Sequence, residues 1–325
     1  MTNPLIPRDA ARRILDHVQR QPPLRIPLDD ALDAVLAEDV RSPVDIPAWT
    51  NSAMDGYATR GVDVRGASEA HPVRLRVIEH LAAGAFPTRP ITAGTCARIF
   101  TGAPLPEGAD SVIRQEDTDG GSEEVTIVRD RDVGVNFRRA GEDVRRGDTV
   151  LPEGSELGPA QLGVLASIAL ATPLIYRRPR VGILAGGDEI VDVDQPDLIL
   201  SGRKIASSNT HTLTALVRRA GGEPVNLGIA RDDRASVREH LERGLDCDLL
   251  VTTAGISVGE HDYLREVLDA LGVELKFWKL RMRPGAPVGF GLLRGIPWIG
   301  LPGNPVSTMV TFELFVRPAI RRASG

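Results

Sequence analysis

Three glycine-containing loops hold the residues of this chain best suited to chemistry. They are Ala185-Gly186-Gly187-Asp188-Glu189, Ala254-Gly255-Ile256-Ser257-Val258-Gly259-Glu260-His261-Asp262 and Leu301-Pro302-Gly303-Asn304-Pro305-Val306-Ser307. Glycine lets the backbone approach a ligand closely. A helix starting just after such a loop adds unpaired N–H groups and the positive end of its dipole. Together these make an anion site, with phosphate the natural candidate and Ser257 and Ser307 as hydroxyl donors. Taken singly, each loop also reads as a plain tight turn, but three in one predicted domain favour binding. No GxxxxGK[ST] occurs, which disfavours a P-loop NTPase. Asp188, Glu189 and Asp262 sit in or beside these loops. A carboxylate repels phosphate unless a divalent cation lies between them, and Mg²⁺ takes one or two carboxylates plus phosphate oxygens and water. A magnesium-bridged phosphate is one reading of these acids, and helix N-caps are the other. Arg281-Met282-Arg283-Pro284-Gly285-Ala286-Pro287 is a rigid cationic loop that either holds an oxyanion or is simply solvated.

Two further stretches lack any secondary-structure period: Asn51-Ser52-Ala53-Met54-Asp55-Gly56-Tyr57-Ala58, and Thr101 to Asp110 with its Gly-Ala-Pro-Leu-Pro run. Turn chemistry must shape such loops, and loops of this kind often carry function. Cys96 and Cys247 form no CxxC pair and read as small core residues in a reducing compartment. The six histidines show no HExxH and no close pair.

These loops need elements to position them. The chain has 325 residues, 42% hydrophobic and 26% charged, with a net charge of −5. That is enough for two or three globular domains. It also argues against broad nucleic-acid binding, and no run of apolar residues reaches the length of a membrane helix. The N-terminus lacks a secretory pattern, so a cytoplasmic location is expected. Helices are predicted from Pro7 and after Pro27 by their apolar spacing. From about residue 43 the texture becomes short strands and turns, including runs at 73–77, 97–100, 111–114 and 125–128. Asp119-Gly120-Gly121 reads as a hairpin turn between two of these runs. Helix returns at Gly158–Ile168, and 176–180 reads as a linker. Beyond residue 180, strands alternate with helices, the signature of an open α/β sheet with parallel strands. In such a sheet ligands bind outside the carboxyl ends of the strands, where the three loops fall.

Together the motifs resemble the molybdenum insertases of molybdenum cofactor biosynthesis, the bacterial MoeA family, related to the E domain of gephyrin. The matching stretches are NSAMDGYA (51–58), RIFTGAPLPEGADSVIRQED (98–117), RRAGEDVRRGD (138–148), GDEI (187–190), GISVGEHDY (255–263) and LPGNPVS (301–307), in the family's order. The resemblance implies an α/β plus β fold of three domains. These are a discontinuous, largely helical domain (1–45 and 140–175), an inserted β-rich domain (46–139) and a three-layer α/β molybdopterin-binding domain (176–325). It implies that a fourth, C-terminal β-barrel domain of the family is absent. It further implies a homodimer whose site joins the α/β domain of one subunit to the β-rich domain of the other. The implied reaction takes adenylylated molybdopterin and molybdate with Mg²⁺ and releases molybdenum cofactor and AMP. A molybdopterin adenylyltransferase and molybdoenzymes are the implied partners, with no nucleic acid and no membrane.

Carried over by position, Asp55, Thr101, Asp143, Glu189 and Asp262 match catalytic positions, and Glu189 and Asp262 the metal ligands. Asp232 or Asp233 matches a further acid. Gly187, Asp188, Gly255, Ser257, Gly259, Arg283, Pro302, Gly303, Asn304 and Ser307 match the substrate-binding side. There are departures. The family's Ser/Thr-Thr-Gly-Asp-Glu loop here begins Ala185-Gly186, its Gly-Gly loop begins Ala254-Gly255, and its Lys-Pro-Gly-Lys-Pro loop reads Arg283-Pro284-Gly285-Ala286-Pro287. They leave open a paralogue that binds molybdopterin as a carrier, storage or regulatory module, and, less favoured, a scaffold protein. A charge-assisted hydrogen bond contributes about 1.5–3 kcal/mol. Ala286→Lys is therefore expected to tighten molybdate binding about tenfold or more in equilibrium titrations. An unchanged affinity would show that no cation is missing at this position.

Overall fold

The computed structural model describes residues 5–253 and 263–325. The chain divides into two compact units, residues 39–151 and residues 1–38 with 152–325. The outer segments expected to form a discontinuous domain are thus shared between the two units.

The 39–151 unit is built on a five-stranded sheet. Its strands are β1 (Gly56–Thr59), β2 (Val73–Leu81), β3 (Thr95–Ile99), β4 (Ser111–Arg114) and β5 (Glu124–Ile127), in the order β4-β1-β3-β2-β5. Only β2 and β3 run parallel. Successive side chains point to opposite faces, and both faces are packed. Tyr57, Cys96 and Ile113 join one cluster, and Ala58, Ala97 and Val112 the other. Cys96 is fully buried, as expected of a core thiol, and desolvation pushes its pKa up to about 12. Gly56 is dictated by crowding, since a Cβ there would lie 2.0 Å from the carbonyl oxygen of Ile113. The turn at Asp119–Gly121 does not join two paired strands, because β4 and β5 occupy opposite edges of the sheet. It closes only the single bridge Thr118–Ile127, with Asp119 Oδ1 accepting from the Thr126 and Gly121 N–H groups.

The other unit carries a six-stranded sheet of β6 (Arg180–Gly186), β7 (Glu223–Ala230), β8 (Leu249–Thr253), β9 (Glu274–Phe277), β10 (Gly289–Leu293) and β11 (Ile296–Leu301). The order is β7-β6-β8-β11-β10-β9. The first four are parallel, as expected, and β10 and β9 add an antiparallel edge. Alternation along the strands builds two cores, which makes this a three-layer α/β unit. Val181, Ile183, Leu249, Val251, Ile299 and Leu301 face α1 (Pro7–Leu15), α3 (Ser208–Arg219), a π-helical turn (Phe312–Val316) and α7 (Arg317–Ala323). Leu184, Leu250 and Trp298 face α4 (Arg234–Arg243) and α5 (Tyr263–Ala270) on the opposite side. This unit also holds the helices α2 (Pro159–Ser167) and α6 (Pro305–Thr311) and a short helical turn at Pro196–Leu200. Among the described residues no helix is long and apolar enough to cross a membrane.

Two local expectations fail for long-range reasons. The helix predicted after Pro27 is a single 3-10 turn, Leu28–Asp30. The chain then turns through Asp33 (φ 60°), and residues 33–37 bond instead to the backbone of Leu157, Ser155 and Leu174. The expected linker at 176–180 is also ordered. Tyr176 ends a strand (Leu174–Tyr176) paired with Pro23–Arg25, and Arg177 grips both carboxylate oxygens of Asp248 at 2.9 and 2.8 Å.

Trp298 is fully buried, stacks on Trp278 at 5.7 Å and donates its indole N–H to Thr252 Oγ1 at 3.2 Å. Trp298→Ala is expected to lower unfolding stability by about 3–5 kcal/mol. The midpoint of a denaturant curve reads the effect, and a loss below about 1 kcal/mol would deny Trp298 this packing role.

Candidate functional site

In the 39–151 unit, Asp55 immediately precedes β1, and Thr101 lies two residues past the end of β3. Antiparallel pairing sets Gly56 opposite Ile99, so both residues emerge at one end of the sheet. Ser52 shapes the approach: its hydroxyl donates to the Met54 carbonyl at 2.6 Å. Asp55 Oδ1 then accepts both the Thr101 N–H (2.8 Å) and the Thr101 hydroxyl (2.7 Å). These two bonds, the backbone one foremost, hold the Asp55 carboxyl below the usual carboxylate range, helped by the Arg98 charge. Arg98 donates to Gly56 O and Gln115 Oε1, and its guanidinium lies 4.7 Å from the Phe100 ring. The second oxygen of Asp55 receives no hydrogen bond from a described residue. Asp143 lies exposed in a turn tied through its N–H to Ile46 O. No contact with Asp55 or Thr101 brings it into their pair among the described residues.

In the α/β unit, Gly187, Asp188 and Glu189 follow β6. Gly187 has φ 133°, a backbone conformation that favours glycine, while the nearby Glu189 carboxylate could swing aside from a Cβ. Asp188 and Asp232, on the loops after β6 and β7, each accept the other's backbone N–H, at 3.2 and 3.3 Å. Asp233 instead caps α4, accepting from Ser236 N at 2.8 Å. Of the two acids left open by the sequence, Asp232 is therefore the one at the strand ends. Glu189 is exposed, and its carboxylate takes no hydrogen bond from a described residue. A pocket of about 50 Å³, open to solvent, lies beside Asp232, lined also by Gly186, Arg231, Thr252, Thr253 and Tyr263.

The helix-start reading needs correction at two loops. No helix follows Glu189; the next element is a two-residue strand, Ile190–Val191. Asp188 and Glu189 are therefore not helix caps. After β11 the N–H groups of Val306 and Ser307 are already taken by Asn304 Oδ1, the N-cap of α6. They are not free for an anion. Pro302 O accepts from the Thr308 hydroxyl, and Gly303 O from Asn209 Nδ2 at 2.8 Å. Asn209 belongs to the first turn of α3, a helix whose start has no side-chain cap. The buried Asn209 Oδ1 has no partner among the described residues. The polar groups that sequence reasoning passed over are thus Asn209 and Lys204, which donates to Asp188 O at 2.5 Å. Lys204 is one of only three lysines in the chain, a signal that was available. Arg283 is exposed in the cationic loop, and no described residue pairs with its side chain. The expected site residues Gly255, Ser257, Gly259 and Asp262 lie outside the described residues, as does Ala254.

Among the described residues no group of three or more acidic, histidine or cysteine side chains converges on one point. A calcium-like cage is thus not formed by them. Magnesium bound to phosphate needs only one or two carboxylates, the rest of its shell being phosphate oxygens and water. The exposed Glu189 carboxylate, unengaged by any described residue, fits that mode.

Thr101→Val removes the hydroxyl donor but keeps the N–H. The Asp55 pKa should then rise toward the ordinary carboxylate value near 3.9. The sign follows from a depressed native pKa. Any stability from this contact is present above the unfolded pKa and lost as pH falls through the native one. A carboxyl-detected NMR titration of wild type and variant checks this; coincident curves would contradict it.

Comparisons with known proteins agree with this architecture. Residues 6–169 match the family model for the MoeA N-terminal region (domain I and II), and residues 182–322 the model described as a probable molybdopterin binding domain. The chain is 40% identical over 311 residues to molybdopterin molybdenumtransferase 2 of Mycobacterium tuberculosis, covering 93% of this chain and 76% of that protein. It is 38% identical over 295 residues to the molybdopterin molybdenumtransferase of Nostoc sp., covering 90% and 67%. The crystal structure of the molybdopterin biosynthesis moeA protein from Pyrococcus horikoshii OT3 superposes with a TM-score of 0.86 at 30% identity, over 99% of this chain and 80% of that one. Likeness to these relatives runs through both units, and the chain belongs to the MoeA family of molybdopterin molybdenumtransferases.

Proposed function

We propose that this protein acts in molybdenum cofactor biosynthesis, joining molybdate to adenylylated molybdopterin with magnesium and releasing AMP. The observation that carries this reading is the carboxyl end of the parallel strands, where Asp188 and Asp232 hold each other's N–H groups, a pocket opens beside Asp232, and the Glu189 carboxylate is exposed and unengaged by any described residue. Family membership makes a molybdopterin the candidate ligand there.

The substrate's phosphoanhydride is cleaved by adding water across it. A new P–O bond forms, the bridging P–O bond breaks, and AMP leaves. The displaced proton needs an acceptor, and Glu189 is free to take it. Glu189, with Asp262 as the second carboxylate, would also hold the magnesium ion; when bound, it neutralises phosphate charge. Gly187 lets the backbone approach the substrate closely. Arg283 supplies positive charge for the molybdate oxyanion. Ser257, Ser307, Gly255, Gly259, Pro302, Gly303 and Asn304 form the remaining substrate-binding set. In the other unit Asp55 stays ionised through Thr101 and offers its second oxygen to an N–H donor of the substrate, and Asp143 adds a further acid. The protein works as a homodimer, supplied by a molybdopterin adenylyltransferase and serving molybdoenzymes. A carrier without turnover is the second reading, favoured by Gly186 and Ala286, where hydroxyl and ammonium donors are lacking.

Purified protein given adenylylated molybdopterin, molybdate and Mg²⁺ should release AMP well above background. Removing a general acid–base group commonly lowers a rate by about 10²–10⁴, which is the drop expected for Glu189→Gln. Substrate binding without AMP release by the wild type would establish the carrier reading. Full activity in Glu189→Gln would remove that residue from the chemistry.

A further inference from the structure

The chain has only 13 aromatic residues, and two of them meet at the surface of the 39–151 unit. Trp49 and Phe86 are 39% and 60% exposed, with ring centroids 5.0 Å apart at 68°. Neither belongs to the two cores of this unit. An edge-to-face pair leaves open ring face on both partners.

The topology places this pair at the same end of the sheet as Asp55 and Thr101. Leu81, the last residue of β2, lies opposite Ile99, the last residue of β3, in a parallel pairing. Phe100 N–H donates to Leu81 O at 3.0 Å, and the chain turns at Ala82–Ala85 to reach Phe86. On the other side, residues 50–52 run antiparallel to 102–105. Gly102 N–H donates to Ser52 O at 2.8 Å, and Leu105 N–H to Thr50 O at 2.9 Å. Ser52 therefore lies beside Gly102, next to Thr101, and Trp49 is three residues back along the chain, so the distance along the backbone is an upper bound. At about 3.3 Å per residue that is roughly 10 Å.

Resting on the proposed reading, we infer that Trp49 and Phe86 form a stacking site for a planar heterocycle of the substrate. Adenylylated molybdopterin has two such rings, the pterin and the adenine, separated by the bond that reacts. A ring stacked on the aromatic pair leaves a span of up to roughly 10 Å to Asp55 and Thr101, within the reach of a dinucleotide-like molecule. Aromatic stacking accepts any heterocycle with a π face, so the shared chemistry is a flat ring system. These are positioning residues, distinct from the acids.

The test uses the full chain with Trp49→Ala, Phe86→Ala and the conservative Trp49→Phe. Because both side chains are exposed, the variants should keep the wild-type circular dichroism and Tm. KM for adenylylated molybdopterin should rise roughly tenfold in both alanine variants, as expected for one lost stacking contact, with kcat unchanged. Trp49→Phe should restore most of the loss. Titrations with AMP alone and with a free pterin alone identify the ring: the one whose Kd rises in the alanine variants is the stacked one. Unchanged KM and unchanged Kd for both probes would overturn the inference while leaving the transfer reaction intact. If the wild type shows no transfer, the proposed function fails, and the AMP and pterin titrations still decide the stacking site.

Discussion

The α/β unit depends on strands that are buried on both faces. Val181, Ile183, Leu249 and Val251 face one core, while Leu184 and Leu250 face the other. A strand with no solvent-facing side cannot carry a charge along its length without a large desolvation penalty. Its polar chemistry must gather where the strand ends. That is why Asp188, Glu189, Asp232, Thr252 and Thr253 fall within a few residues of one sheet edge. Parallel pairing of β7, β6, β8 and β11 aligns these ends, so loops distant in sequence become neighbours. Family membership gives this edge its chemical meaning, and the geometry says which side chains stand free to act.

The 39–151 unit meets the same demand differently. Its Asp55 is exposed, and exposure alone would leave a carboxylate free to rotate and to titrate at its ordinary value. Two hydrogen bonds from a single residue, Thr101, fix both its orientation and its charge. The partners are 46 residues apart, and the pairing of β1 with β3 is what joins them.

Much of this was legible in the sequence. Continuous apolar runs gave the strands of the α/β sheet, because burial on both faces leaves an unmistakable composition. The loops at their ends followed from the glycines. The parts that were not legible depend on contacts made across long sequence gaps. Leu28–Leu36 has helical spacing, yet its backbone finds partners at residues 155–157 and 174, and tertiary bonds override the local preference. Asp119–Gly121 reads as a hairpin, yet the strands around it pair elsewhere. The roles of neighbouring polar residues were equally hidden. Asn304 also caps its own helix through Oδ1, which its spacing did not reveal, and only the structure separates Asp232 at the strand ends from Asp233 at a helix start. Both choices turn on where one N–H group points.

The central proposal is that this one protein both cleaves the adenylate and joins molybdenum to the molybdopterin. The direct measurement is a parallel count of AMP released and molybdenum incorporated by the wild-type protein, with molybdate supplied or withheld. The account predicts that AMP and molybdenum-loaded product both form when molybdate is present. AMP release without molybdenum incorporation while molybdate is supplied would contradict it.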